Sequence, residues 1–287
     1  MGGENRGFRH FGLAAWFGRL FPAPMALQAV FFDLDDTLVV DEAVSREALA
    51  AVGELARTRH GAEADRYVRD AVRHAKALWQ SGPSHVFCRS IGISAFECLW
   101  GKFEGSTPDL RLLREWSHAY REQVFDAALR EQMIESVDGA RELSDAFAAE
   151  RRRLQRLMPD ARETLARLSA RYTLAMLTNG APDLQREKIA ASGLGAFFRA
   201  VAVSGEHGIG KPRPEIFHRL AAECGVEPAE CVMVGNSLER DIAGARAAGM
   251  TAIWLQVPGS EEPAEVEPDH TITGLAALPA LLEKLAA

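Results

Sequence analysis

Apolar residues along this chain fall into two kinds of pattern, and the change from one to the other divides it. Four short runs, 28-QAVFF-32, 172-YTLAML-177, 231-CVMVG-235 and 251-TAIWLQ-256, are nearly continuous in apolar residues. Two weaker strand candidates are 199-RAVAVS-204 and 270-HTITG-274. Strands without alternation are buried on both faces, which marks a parallel sheet covered by helices. Helical periodicities lie between them at 160–170, 182–193, 214–225 and 238–249. Pro182 and Pro214 suit first helical positions, and Gly193, Gly225 and Gly249 suit helix ends. The pattern predicts an α/β fold, a doubly wound parallel sheet with a Rossmann-like core.

Residues from about 43 to 157 read differently. Strand-like runs are scarce, and helical patterns such as 111–129 and 140–158 are separated by turn material at 81–85 and 105–109. One strand, then a helical block, then the remaining strands implies an all-helical cap domain at 43–157. It interrupts a core made of 26–42 and 158–287, with 1–25 as an N-terminal extension. The stretch 8-FRHFGLAAWFGRLFPAPM-25 is basic and amphipathic, but Arg9, His10, Arg19 and two prolines cut its apolar blocks. It reads as an extension or short surface helix upstream of Met25 rather than as a signal peptide.

Charge narrows the partners. The balance of 33 basic and 40 acidic residues, 33 − 40 = −7, gives no net basic field to favour nucleic acid or an anionic membrane. An anionic substrate therefore needs a local lysine or a divalent cation. The four cysteines form no CxxC pair and read as reduced thiols of a cytoplasmic protein. No run approaches the roughly 18 apolar residues of a membrane helix. The basic run 150-ERRRLQR-156 reads as a solvated helix face. The eight histidines show no HxxxH or HxH spacing, and 205-GEHGIGKP-212 lacks a phosphate-loop signature because Pro212 follows Lys211. Trp79, Trp100 and Trp116 read as packing inside the cap.

In open α/β sheets ligands bind beyond the carboxyl ends of the strands, and there the polar residues gather. The first strand delivers Asp33, Asp35, Asp36 and Thr37. The next delivers Thr178, Asn179 and Gly180. The loop after the 199–204 run carries Lys211, and the 231–235 strand leads into Asn236, Ser237 and Asp241. Singly each has a bland explanation: a turn, a surface lysine, an acid at a helix start. Four strand ends presenting carboxylates, a hydroxyl, an amide and a lysine to one rim point to a site. Asp36 alone reads as a turn or capping residue.

These residues carry a family resemblance. The chain resembles the haloacid dehalogenase-like hydrolase superfamily, in its subgroup with a helical cap after the first strand. The motifs match in order: DxDxT at Asp33, Asp35 and Thr37, the Thr/Ser motif at Thr178, the lysine at Lys211, and the acidic motif from Gly235 to Asp241. The resemblance implies a Mg²⁺-dependent phosphatase acting on a small phosphorylated metabolite through an aspartyl-phosphate. It implies Asp33 as nucleophile and Asp35 as acid and base. Thr178, Asn179 and Lys211 then bind the phosphoryl oxygens. The Mg²⁺ ligands it implies are the Asp33 carboxylate, the Asp35 main-chain carbonyl and Asn236, with Asp241 touching the ion or standing one layer behind. Asn236 departs from the family's usual Asp; an amide oxygen can coordinate Mg²⁺ but adds no charge. Two alternatives stay open: phosphomutase-type transfer, which shares both aspartates, and a catalytically idle binding or regulatory protein, to which Asn236 points. No cap motif singles out a substrate among phosphoglycolate, sugar phosphates, nucleotides and acylneuraminate phosphates.

Overall fold

The structure, a computed structural model, describes residues 27–257 and 266–286. The expected extension at 1–25 lies outside the described residues. Six strands, β1 (Ala29–Phe32), β2 (Thr173–Thr178), β3 (Ala200–Val203), β4 (Cys231–Gly235), β5 (Thr251–Leu255) and β6 (His270–Ile272), form one sheet in the order β3-β2-β1-β4-β5-β6. Every pairing is parallel, and both weaker runs are strands in it. The order reverses at β1, so the crevice opened by the reversal lies between β1 and β4.

The first six of the seven helices between β1 and β2 are α1 (Glu42–His60), α2 (Ala64–Ser81), α3 (His85–Ile91), α4 (Ala95–Cys98), α5 (Pro108–Arg130) and α6 (Gly139–Arg153). Leu49, Val52, Tyr67, Leu113, Tyr120, Phe125 and Phe147 are buried in a cluster of their own among these helices. Trp100 is buried there too, and Trp79 and Trp116 pack against the cluster. The helical run read over 140–158 stops at Arg153 for a physical reason. Residues 154–158 return beside the outgoing linker, where Val40 N donates to Arg156 O (3.0 Å) and Met158 N to Leu38 O (2.9 Å). Both crossings into this helical cap are thereby held together.

The chain continues with α7 (Ala161–Leu168), α8 (Pro182–Ser192), α9 (Ser204–His207), α10 (Pro214–Cys224), α11 (Ala243–Ala247) and α12 (Leu278–Leu285). Successive β1 residues point to opposite faces. Val30 and Phe32 pack with Leu165 of α7 and Leu282 of α12, while Ala29 and Phe31 pack with Phe217 of α10 and Ala245 of α11. Helix α8 joins the two halves: its Leu184 belongs to the cap's cluster and its Ile189 to the sheet's.

The segment 238–249 differs from the single helix expected. It opens with a wide π-type turn, Leu238–Ile242, before α11. Ser237 O accepts from both Asp241 N (2.9 Å) and Ile242 N (3.2 Å), and the Asp241 carboxylate accepts from Ser237 N (3.0 Å). The extra residue turns Asp241 inward, where it is almost fully buried. Gly235 is required by this approach, because a Cβ there would collide with the Asp241 carboxyl.

Candidate active site

Asp33 is the first residue beyond β1, and its N still donates to Val234 O (3.0 Å), so the chain stays extended beside β4. At Asp36 the backbone turns into the left-handed region, φ 54°, which Asp tolerates. The Asp36 carboxylate accepts from Asp41 N (2.9 Å) and Glu42 N (3.2 Å) and so caps α1. Thr37, fully buried, places one hydroxyl 3.3 Å from Asp33 Oδ2 and 3.5 Å from Asn236 Oδ1. The ends of β1 and β4 thus meet across a single hydroxyl.

Lys211 reaches the same point from the loop after α9. Its ammonium donates to Asp33 Oδ1 (2.5 Å) and lies 2.7 Å from Asp241 Oδ1, the latter an ion pair outside hydrogen-bond geometry. The Asn179 side chain holds that loop: its amide donates to Lys211 O (2.9 Å) and its Oδ1 accepts from Lys211 N (2.9 Å). Asp33, Asp35, Asn179, Lys211, Asn236 and Asp241 all line one cavity of about 160 Å³. Thr178 does not. It is fully buried behind the wall, and its hydroxyl accepts from Gln185 Nε2 (2.6 Å).

The cavity is strongly acidic, with six carboxylates against Lys211 and Arg240 on its lining. Burial pushes Asp33 up to about 7; the ammonium of Lys211 opposes this, while Asp241 and Asp35 add to it. Burial also raises Asp35, with Asp41 adding and Lys188 opposing. Burial alone would lower Lys211, but Asp241 and Asp33 outweigh it and raise the ammonium. Oxygen donors in an excess of negative charge suit a hard divalent cation. Asp33, Asn236 and the buried Asp241 Oδ1 are such donors, and they lie close together around Thr37 and Lys211. Among the described residues no three His, Cys, Asp or Glu side chains form a ready metal cluster. The donor set here mixes carboxylates with an amide, and that chemistry fits Mg²⁺.

Several site residues lie outside the motifs. Lys188 of α8 is buried, with its ammonium 3.0 Å from both Asp35 oxygens, 2.9 Å from Asp41 Oδ1 and 3.6 Å from Glu97 Oε1. Burial would lower Lys188, but Asp35, Asp41 and Glu97 together raise it. Arg151 of α6 is also buried, donates to Ser45 Oγ (3.0 Å) and pairs with Asp41. A sequence signal for Lys188 existed. It stands four residues from Leu184 on the buried stripe of its helix, where a lysine is out of place. Glu97 and Arg151 carried none, because only the folded cap brings them here.

Glu97 supplies a pH test. Burial raises it from 4.5 to about 7, with Lys188 opposing. A raised folded-state value adds stability below the unfolded value and loses it as pH climbs through the folded one. Wild-type protein therefore loses this contribution as pH rises from about 4.5 to about 7. Glu97→Gln should gain on wild type by up to about 3 kcal/mol between about pH 5 and about pH 8. Parallel denaturation midpoints for the two proteins across that range would exclude the effect.

The comparisons with known proteins agree with this architecture. Residues 27–249 match the model of a haloacid dehalogenase-like hydrolase. A phosphoserine phosphatase of Thermus thermophilus is 41% identical over 250 residues, which is 87% of this chain and 96% of that protein. The human N-acylneuraminate-9-phosphatase is 30% identical over 264 residues, 90% of this chain and 95% of its own. Among solved structures, a 2-haloacid dehalogenase of Pseudomonas syringae superposes with a TM-score of 0.56 at 26% identity, over 90% of this chain and 99% of that one. A HAD-hydrolase of Bacillus subtilis shares the fold with a TM-score of 0.61 at 23% identity, over 90% and 99%. The chain belongs to the haloacid dehalogenase-like hydrolase family. Within it the protein is a phosphoric monoester hydrolase. No described helix is long and apolar enough to cross a membrane.

Proposed function

We propose that this enzyme is a Mg²⁺-dependent phosphatase that releases phosphate from a small phosphorylated metabolite through an aspartyl-phosphate on Asp33. The observation that carries the reading is the Asp33 carboxylate itself. It is buried at the β1–β4 crevice, held at 2.5 Å by Lys211, and faces a small cavity that the cap helps to line. Asp33 attacks phosphorus as the ester P–O bond breaks, and Asp35 gives its proton to the leaving oxygen. Asp35 then takes a proton from the water that cleaves the acyl-phosphate, which frees phosphate and restores Asp33. Lys211 neutralises the phosphoryl oxygens, and Asn179 fixes the loop that carries it. Thr178 takes part from behind the cavity wall, through Gln185. Asp33, Asn236, the Asp35 carbonyl and Asp241 would hold Mg²⁺, which when bound neutralises charge on the transferring phosphoryl group. Asn236→Asp is expected to tighten Mg²⁺ binding; equal or weaker affinity in a titration would remove Asn236 from the ligand set.

The cavity's size suits a compact leaving group, and phosphoserine is the first substrate to test because the Thermus thermophilus relative carries that name. Arg240 adds a chemical reason. It lines the cavity, and among the described residues it has no acidic partner, only Ser237 Oγ at 3.5 Å. A free guanidinium there suits a carboxylate on the leaving group. A wider groove of about 710 Å³ shares Asp41 and Ser94 with the cavity, so the panel includes N-acylneuraminate 9-phosphate. Phosphate release is expected to be greatest from phosphoserine, to exceed that from phosphoethanolamine, and to stop in chelator. Arg240→Gln should erase the preference over phosphoethanolamine. Release of no phosphate from any substrate, or an isomerised product instead, would overturn the reading. Four buried free cysteines suit a reducing compartment such as the cytoplasm.

A further inference from the structure

A buried lysine bound to a carboxylate outside the four motifs asks for an explanation, because an ammonium is seldom placed in a protein interior without a task. Lys188 contacts both oxygens of Asp35 at 3.0 Å. On the same face of α8, Gln185 donates from Nε2 to Asp35 Oδ2 (2.9 Å) and to Thr178 Oγ1 (2.6 Å). Both side chains are essentially fully buried. Three contacts from one helix therefore hold one carboxylate, and they leave Oδ1 with the ammonium alone while Asp35 borders the cavity. A carboxyl free to rotate at the end of a loop would spend most of its time misaligned with a leaving oxygen, and misplacement by about 1 Å can cost about 100-fold in rate.

From this geometry we propose that Lys188, with Gln185, is the positioning residue for Asp35. The pair orients the carboxyl that protonates the leaving group, and it rests on the reading of Asp35 as that acid. The same ammonium lies 2.9 Å from Asp41, in the linker to the cap, and 3.6 Å from Glu97 in the cap. The cap's seating and the acid's orientation thus share one cation. Helix α8 is fitted to this, since its Leu184 is packed in the cap's own hydrophobic cluster.

Leaving-group dependence tests the proposal. Phosphoryl transfer to Asp33 from an alkyl phosphate needs a proton at the leaving oxygen, whereas a nitrophenolate departs without one. The quantity to compare is kcat/KM, which covers the steps up to phosphoenzyme formation. Holoenzyme with Mg²⁺ is assayed on phosphoserine, or on the best alkyl phosphate of the panel, and on p-nitrophenyl phosphate. Asp35→Asn serves as reference, and general acid catalysis is worth about 10²–10⁴-fold. Lys188→Met is expected to lose about 100-fold on the alkyl ester and tenfold or less on the aryl ester. Gln185→Leu should show the same asymmetry at smaller size, and it leaves no buried charge unpaired. If Lys188→Met does not fold, Gln185→Leu decides alone. Equal losses on the two esters are what a merely structural residue gives, and they would overturn the proposal. If Asp35→Asn itself keeps full activity on the alkyl ester, the acid assignment falls instead, and the two failures are told apart.

Discussion

Asp33→Asn is expected to abolish phosphate release, lowering kcat by about 10⁴-fold or more, while the protein remains folded. The amide has almost the shape of the carboxyl, so contacts of the kind made with Thr37 and Lys211 remain available to its oxygen. What it lacks is the anion that the proposed mechanism uses to attack phosphorus. Loss of the charge should not cost stability. Burial already pushes Asp33 up to about 7, which means that the folded protein resists its ionisation. The variant should unfold at or above the wild-type midpoint in metal-free buffer near pH 8. Activity and a melting curve measured on one preparation separate lost chemistry from lost structure. Turnover within about tenfold of wild type would remove Asp33 from the nucleophile's role and with it the aspartyl-phosphate.

Lys211→Met should produce the largest change in stability. The ammonium stands between the carboxylates of Asp33 and Asp241, and all three side chains are buried. Removing it leaves two uncompensated acids in a low-dielectric pocket, a loss of about 3–5 kcal/mol at neutral pH. Acidification that protonates Asp33 should return part of the loss. Adding Asp241→Asn should also recover part of it, because the pair and not the lysine alone sets the balance. Denaturant melts of the single and double variants near neutral pH measure both statements. A single variant within about 1 kcal/mol of wild type would mean that the ion pairs contribute little.

How much of this could be read beforehand follows from where each cause resides. Five of the six strands were visible as apolar runs of four to six residues, because a sheet covered on both faces demands unbroken apolar side chains, while the three-residue edge strand β6 gave only a weaker signal. The residues at the strand ends were visible because topology forces them to one rim. The turn role of Asp36 was legible from its neighbours, and its carboxylate indeed caps α1. Other features depended on contacts distant in sequence. The end of the helix at Arg153 is set by pairing with residues 38–40, more than a hundred positions earlier. The π-type turn at 238–242 is set by Asp241 folding back on Ser237 beside Gly235. Thr178, grouped by its motif with the phosphate-binding residues, faces Gln185 instead of the cavity.

The sequence by itself determined the α/β class, the order of strands and helices, the helical insertion after the first strand and the set of polar residues at the strand ends. Local patterning suffices for these, since period and turn chemistry act over a few residues. Tertiary structure alone decided which charges neutralise one another. Lys188 meets Asp35, Asp41 and Glu97 only because the cap folds back over α8, and Lys211 meets Asp33 and Asp241 only where three loops converge. Electrostatic pairing in a dry interior depends on ångström distances, and those exist only once the chain has closed on itself.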